Sequence, residues 1–285
     1  MSARRSCLSV PGSSEKMLAK AGSLPADEIV IDLEDSVTAA AKPEARDLVC
    51  RLLAEGRLAE GQLLAVRINA IDSPWWRDDV AALADRAGLA VDSLVMPKVE
   101  RAEDVLQVER ALERHGAAMG IQALVETAAG LMRLGEIATA SPRLDSLIVG
   151  YADLAASLGR ADPEAAPERW LYAQDALLVA ARAAGIEAID GPYLALADEP
   201  GLRGWAEHVR DLGYDGKWAI HPSQLAVIND TFTPGGDEVE RAQAILAALS
   251  RAESAGEGGA AQLDGKMIDE ASRKQAEKVV ARAAR

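Results

Sequence analysis

The chain is nearly without cysteine: Cys7 and Cys50 are its only two thiols, both in apolar segments, so it has no disulfide framework. A reducing cytoplasm is the expected setting. Long apolar runs are missing as well. Spanning a bilayer takes roughly 20 predominantly apolar residues, and no stretch approaches that; nor does an apolar signal segment follow the basic opening MSARRS. Positive charge is in short supply. With 31 Lys and Arg against 45 Asp and Glu, the net charge is −14, which argues against general binding to nucleic-acid phosphates or anionic membranes. No Cys/His cluster offers a zinc site, and no strand-to-helix turn carries the Gly-x-Gly-x-x-Gly pattern of a dinucleotide fold.

The 285 residues are 49% hydrophobic and 27% charged, enough for one large domain with a substantial core. Eight short apolar runs recur along them: SCLSVPG, EIVIDLED, LLAVRIN, SLVMPKV, IQALVET, SLIVGYAD, EAIDGPY and GKWAIHP. Between them lie Ala- and Leu-rich stretches of helical spacing, such as EKMLAKAG, KPEARDLVCRLLAEG and EDVLQVERALERHG, several closed by Gly. This alternation predicts a (β/α)8 barrel over 1–233. The remainder, 234–285, exceeds what a barrel needs: a helix-like DEVERAQAILAALSRAES, a flexible AGEGGA, AQLDGKMIDEAS and a basic helix read as an arm or lid.

In such a barrel the C-terminal strand ends share one mouth, so the polar residue closing each run is a site candidate. Those residues are Ser13 and Ser14; Asp32, Glu34 and Asp35; Arg67 and Asn69; Lys98; Glu126; Asp153; Asp190; and His221. Glu126 and Asp153, at consecutive strand ends, present hard oxygens suited to Mg²⁺, or else each caps the helix after it. Arg67 offers a planar fork to a substrate carboxylate, or pairs with Glu34 or Asp35. Neighbouring acids would keep Lys98 protonated, against a Schiff-base role. His221 is a general base or a backbone organiser, while His115 and His208 should face water. On composition alone, Asp264 and Asp269 are solvated loop acids.

The series RRSCLSVPGSSEKMLAKA, IDLEDSV with the downstream KPEAR, VRINA, MPKVE, VETAAG, GYADLAASLG, GKWAIHPSQ and DGKMID covers nearly the whole chain. It resembles the citrate lyase beta subunit family, the CoA-ester lyases of the HpcH/HpaI aldolase group, and IDGPY, GKWAIHPSQ and DGKMIDEAS lean toward malyl-CoA and β-methylmalyl-CoA lyases. The resemblance implies a TIM barrel with a C-terminal helical arm and Mg²⁺, or Mn²⁺, on Glu126 and Asp153. It implies a substrate carboxylate at Arg67; Asp32, Glu34 and Asp35, by their place at a strand end, rim the same mouth. Arg5, Lys16 and the VPGS turn lie where the family approaches the CoA nucleotide. Asp269 is implied as a catalytic acid–base that the arm contributes to a neighbouring subunit, in a homotrimer or hexamer.

The implied reaction is reversible cleavage of a CoA thioester such as malyl-, citramalyl- or citryl-CoA to an acyl-CoA and a 2-oxo acid: glyoxylate, pyruvate or oxaloacetate. Three alternatives stand beside it. They are a malyl-CoA thioesterase, a citrate lyase subunit working on an acyl carrier protein, and an aldolase acting on free acids.

Overall fold

The structure is a computed structural model that describes residues 4–56, 61–87, 90–161, 167–256 and 259–283. Its first compact unit, Arg4–Asn229, is an eight-stranded closed parallel barrel. The strands are β1 (Ser6–Pro11), β2 (Glu28–Asp32), β3 (Leu63–Arg67), β4 (Ser93–Met96), β5 (Gly120–Val125), β6 (Leu144–Val149), β7 (Glu187–Asp190) and β8 (Gly216–Ala219). Each pairs with the next, and β8 returns to β1 through Cys7 and Trp218. The apolar runs of the sequence became strands because both faces of a parallel barrel strand are buried. Among the described residues no helix is long and apolar enough to cross a membrane.

Side-chain alternation sorts the interior into three layers. At the N-terminal end Gln122 on β5 reaches across to Glu28 on β2 and to Ser93 on β4, at 2.7 Å each. Arg4 closes this end, donating to Glu28 at 3.1 Å and Glu187 at 2.8 Å and lying 3.2 Å from Asp145. Every strand then contributes one residue to an apolar middle layer: Cys7, Val30, Ala65, Val95, Leu124, Ile148, Ile189 and Trp218. Two residues further along, the same inward face carries Asp32, Arg67 and Glu126 at the C-terminal mouth.

The described residues from Asp230 onward belong to a second compact unit. Its division from the first falls shortly before the 233/234 boundary expected from the sequence. It contains helix Gly236–Ser254, an antiparallel hairpin of β9 (Ala261–Leu263) and β10 (Lys266–Ile268), and helix Glu270–Ala283. Leu249 and Ile268 are buried against one another there. Asp264 and Gly265, at φ of 51° and 75°, form the turn, and Asp-Gly is the pair a two-residue hairpin prefers. A hairpin thus stands where the sequence reading placed loop acids. Within the AGEGGA segment, Glu257 and Gly258 lie outside the described residues.

Candidate active site

The mouth is organised around a buried guanidinium. Arg67, the last residue of β3, donates from Nε and Nη2 to the two oxygens of Asp32, at 2.7 Å each. Its Nη1 lies 3.5 Å from Asp35 and 3.0 Å from Glu34 Oε2, the latter an ion pair without an aligned hydrogen bond. The sequence reading offered Glu34 or Asp35 as partners. Asp32 is the principal one, because it shares the inward face and adjoins Arg67 in register. Asp32 takes the side-on edge of the fork, and Nη1 on the other edge faces Glu34 and Asp35.

Asp32 also shapes the loop behind it. Its oxygens accept the amides of Glu34 at 2.8 Å and Ser36 at 2.9 Å, and Lys42 of KPEAR donates to the carbonyls of Leu33 and Glu34. Burial pushes the Asp32 carboxyl up, but the Arg67 bonds and these donors hold it below the usual range. Glu34 moves the other way. Burial dominates there, and its carboxyl is raised despite Arg67 and Lys98.

Lys98 sits at φ 53°, in the left-handed region that a side-chain-bearing residue seldom occupies. That conformation turns its backbone N–H onto Glu126 Oε1 at 2.9 Å while its ammonium pairs with Glu34. Burial lowers the Lys98 pKa, but the Glu34 bond and the charges of Glu34, Asp35 and Glu126 outweigh it, and the net direction is up. An amine held protonated is a poor nucleophile.

Glu126 follows β5 and is only 3% exposed. Burial first, and then the Asp153 and Glu34 carboxylates, push its carboxyl up to about 8. Gly150, the residue before helix Tyr151–Ser157, abuts it so closely that a Cβ there would lie 2.5 Å from Glu126 Oε2. Asp153 stands half-buried in the first turn of that helix. Neither acid is a helix cap: Thr127 caps the helix after β5, and Gly150 occupies the cap position after β6. Among the described residues no Lys or Arg forms an ion pair with Glu126, and no three Asp, Glu, His or Cys gather as a metal cage. A buried carboxylate raised by a second carboxylate fits a hard divalent cation that takes one or two protein oxygens and fills its shell from water and substrate.

The other candidates separate. Asp190 faces outward from the barrel and is paired with Lys217, because Ile189 takes the inward position on β7. Asn69 is held by Asp79 at 2.7 Å. Ser14 caps helix Glu15–Ala21, which carries the exposed Lys16 on the mouth side of β1. Arg5 precedes β1, at the opposite end of the barrel, where it pairs with Asp27 at 2.8 Å; the structure does not bring it to the mouth. His221 accepts the Ser223 amide and organises a turn. His115 is exposed beside Asp85, whereas His208, expected in water, is half-buried against Gln174. In the second unit Asp269 Oδ1 accepts the amides of Ala271 and Ser272, capping helix Glu270–Ala283.

Sequence reasoning missed Arg4 and the Lys217–Asp190 pair. A lysine inside the apolar run GKWAIHP was the available signal, since a buried ammonium needs a buried partner.

Comparison with known proteins adds three kinds of likeness. Residues 5–222 match the family model described as HpcH/HpaI aldolase/citrate lyase. Over 268 residues, 93% of this chain and 89% of the relative, the chain is 42% identical to a (3S)-malyl-CoA thioesterase of Cereibacter sphaeroides. It is 37% identical to an L-malyl-CoA/beta-methylmalyl-CoA lyase of the same species over 301 residues, 96% of this chain and 92% of the relative. Among solved structures, CitE from Mycobacterium tuberculosis in complex with magnesium, acetoacetate and coenzyme A is 30% identical, covers 99% of both chains and has a TM-score of 0.81.

Proposed function

The chain belongs to the HpcH/HpaI aldolase/citrate lyase family, and from that premise we propose that it is a Mg²⁺-dependent carbon–carbon lyase acting on CoA esters. Its reaction is cleavage of a malyl-CoA-type thioester to an acyl-CoA and a 2-oxo acid, and the reverse condensation. The observation that carries this reading is the buried Glu126 beside Asp153 in the mouth that also holds Arg67. Lyase relatives and a relative holding magnesium and coenzyme A support it.

Glu126 and Asp153 would hold the metal, Mg²⁺ or Mn²⁺, which would supply Lewis-acid polarisation of substrate oxygens. Arg67, fixed on one edge by Asp32, turns Nη1 from the Glu34 and Asp35 carboxylates to the oxygen that becomes the 2-oxo group and neutralises its growing charge. Lys98 stays protonated beside Glu34 and fixes Glu126 through its amide. As the carbon–carbon bond breaks, its electron pair goes to the α-carbon of the thioester, and the hydroxyl proton passes to solvent water, which in turn reprotonates Asp269 for the next turnover. Asp269 delivers a proton to that carbon and removes one from the acetyl methyl in condensation. We place Asp269 in the site of a neighbouring subunit of a homotrimer or hexamer, and Lys16 near the CoA. The setting is the cytoplasm, where the two buried thiols stay reduced.

The 42% identity to a malyl-CoA thioesterase favours one second reading, hydrolysis of the same thioester. A panel of CoA esters turned over by the purified chain separates the two. Glyoxylate and acetyl-CoA from malyl-CoA mark the lyase, and malate with free CoA marks the thioesterase. Turnover of free CoA esters also excludes a subunit that needs an acyl carrier protein, whereas inertness toward all of them overturns the proposal.

A further inference from the structure

Outside the barrel wall, a buried polar array lies between β7, β8 and the helix that carries Asp153. Lys217 Nζ donates to Asp190 Oδ2 at 2.5 Å and to the Gly191 carbonyl at 2.6 Å. The Tyr151 hydroxyl donates to the other Asp190 oxygen, and Gln174 Nε2 donates to the Tyr151 oxygen at 2.9 Å. All four side chains are buried. The Tyr151 ring packs against Trp170 and Trp205, with centroids 5.2 and 5.3 Å away. None of these groups takes part in the chemistry above. Burying a Lys–Asp pair carries a heavy desolvation cost that apolar side chains of similar volume would avoid, so its presence calls for an account.

What the array grips is the start of one helix. Tyr151 is the first residue of Tyr151–Ser157, two positions before Asp153. On one side of that turn Gly150 abuts Glu126. On the other, the phenol is tied to Asp190, and only a glycine at 191 lets it seat, since a Cβ there would meet the Val149 carbonyl at 2.4 Å and the Tyr151 ring at 3.0 Å. The register pairing of Asp190 with Lys217 anchors the tie to the barrel itself.

We infer that Tyr151, Asp190 and Lys217 are positioning residues for the divalent-metal site, fixing the start of this helix so that Asp153 and Glu126 meet one cation. The inference rests on the metal reading proposed above. Helix position sets where the Asp153 carboxylate stands, and an outer partner that orients a ligand typically governs about 10–100-fold in metal affinity.

The test is Mn²⁺ binding to the purified full-length chain without substrate, read from the paramagnetic resonance signal of free Mn²⁺. Tyr151→Phe keeps the ring between its tryptophans and removes the tie, so its Kd for Mn²⁺ should rise about 10–100-fold. Tyr214→Phe removes a neighbouring buried hydroxyl that donates to the Gln174 carbonyl at 2.9 Å. It should lower thermal stability and leave the Kd unchanged. Wild-type Mn²⁺ binding by Tyr151→Phe, or equal weakening by Tyr214→Phe, overturns the inference. If Tyr151→Phe does not fold, Asp190→Asn is read the same way: weaker binding supports the role and unchanged binding overturns it. Glu126→Gln distinguishes the layers of the argument. Unchanged Mn²⁺ binding by Glu126→Gln removes the metal reading itself, whereas its loss alongside normal binding by Tyr151→Phe removes only the positioning role.

Discussion

At the scale of single residues, Glu126 bears the strongest electrostatic stress in the mouth, and its consequence is a pH dependence of definite sign. In the metal-free protein its carboxyl titrates near 8, against an ordinary value of 4.5. Between those values the folded chain keeps a proton that the unfolded chain has released, so metal-free stability falls as pH rises and levels off above the upper value. Glu126→Gln removes this loss: metal-free Glu126→Gln should melt several degrees above metal-free wild type near about pH 8.5, and the gap should close near about pH 5. Scanning calorimetry in chelator checks it. Arg67 gives the second prediction. Lysine cannot hold Asp32 side-on and still present a second pair of donors, so Arg67→Lys should raise the KM for glyoxylate in condensation and lower turnover, with Mg²⁺ affinity nearly unchanged. Normal kinetics with lowered stability alone would make Arg67 a purely structural partner of Asp32.

At the scale of elements, the strands were legible and their facing was not, for one physical reason. A barrel strand buried on both faces reads as a continuous apolar run, without the alternation that would reveal which side chains point inward. EIVID and EAID therefore look alike as strand ends, yet Asp32 enters the mouth while Asp190 turns outward to Lys217. Glu126, Asp153 and Arg67 were legible because strand order alone brings them to one end. Arg5 was misjudged by resemblance, which places a motif near a ligand without fixing the end of the strand on which each residue falls. The polar layer at the N-terminal end also escaped the sequence, since its partners come from strands far apart in the chain. It supports the third prediction. Arg4→Met leaves Glu28 buried without its cation, and breaking a buried ion pair typically costs about 3–5 kcal/mol; the thermal midpoint should fall sharply, and adding Glu28→Gln should recover most of it. A midpoint unchanged in Arg4→Met would show that Arg4 contributes nothing net.

At the scale of the whole molecule, the proposed chemistry needs a proton carrier that the barrel mouth does not itself identify, and Asp269 is the proposed one. Asparagine caps a helix about as well as aspartate, so Asp269→Asn should keep helix Glu270–Ala283 and the fold while turnover falls about 10²–10⁴-fold. Exchange of acetyl-CoA methyl protons into deuterated water should fall in parallel. If the residue serves a neighbouring barrel, co-assembling inactive Asp269→Asn with inactive Glu126→Gln chains restores some complete sites and some activity. Verified mixed oligomers that stay inactive would exclude an exchange of Asp269 between subunits.

The central claim is a Mg²⁺-dependent lyase built on Glu126 and Asp153, and the rate of glyoxylate release from malyl-CoA, followed while Mg²⁺ is titrated into chelator-stripped enzyme, tests it most directly. Wild type should be inactive in chelator and recover saturably with Mg²⁺, and Glu126→Gln should require far more metal or fail to recover. Full glyoxylate release in chelator, or a Glu126→Gln titration that overlays wild type, would contradict the account.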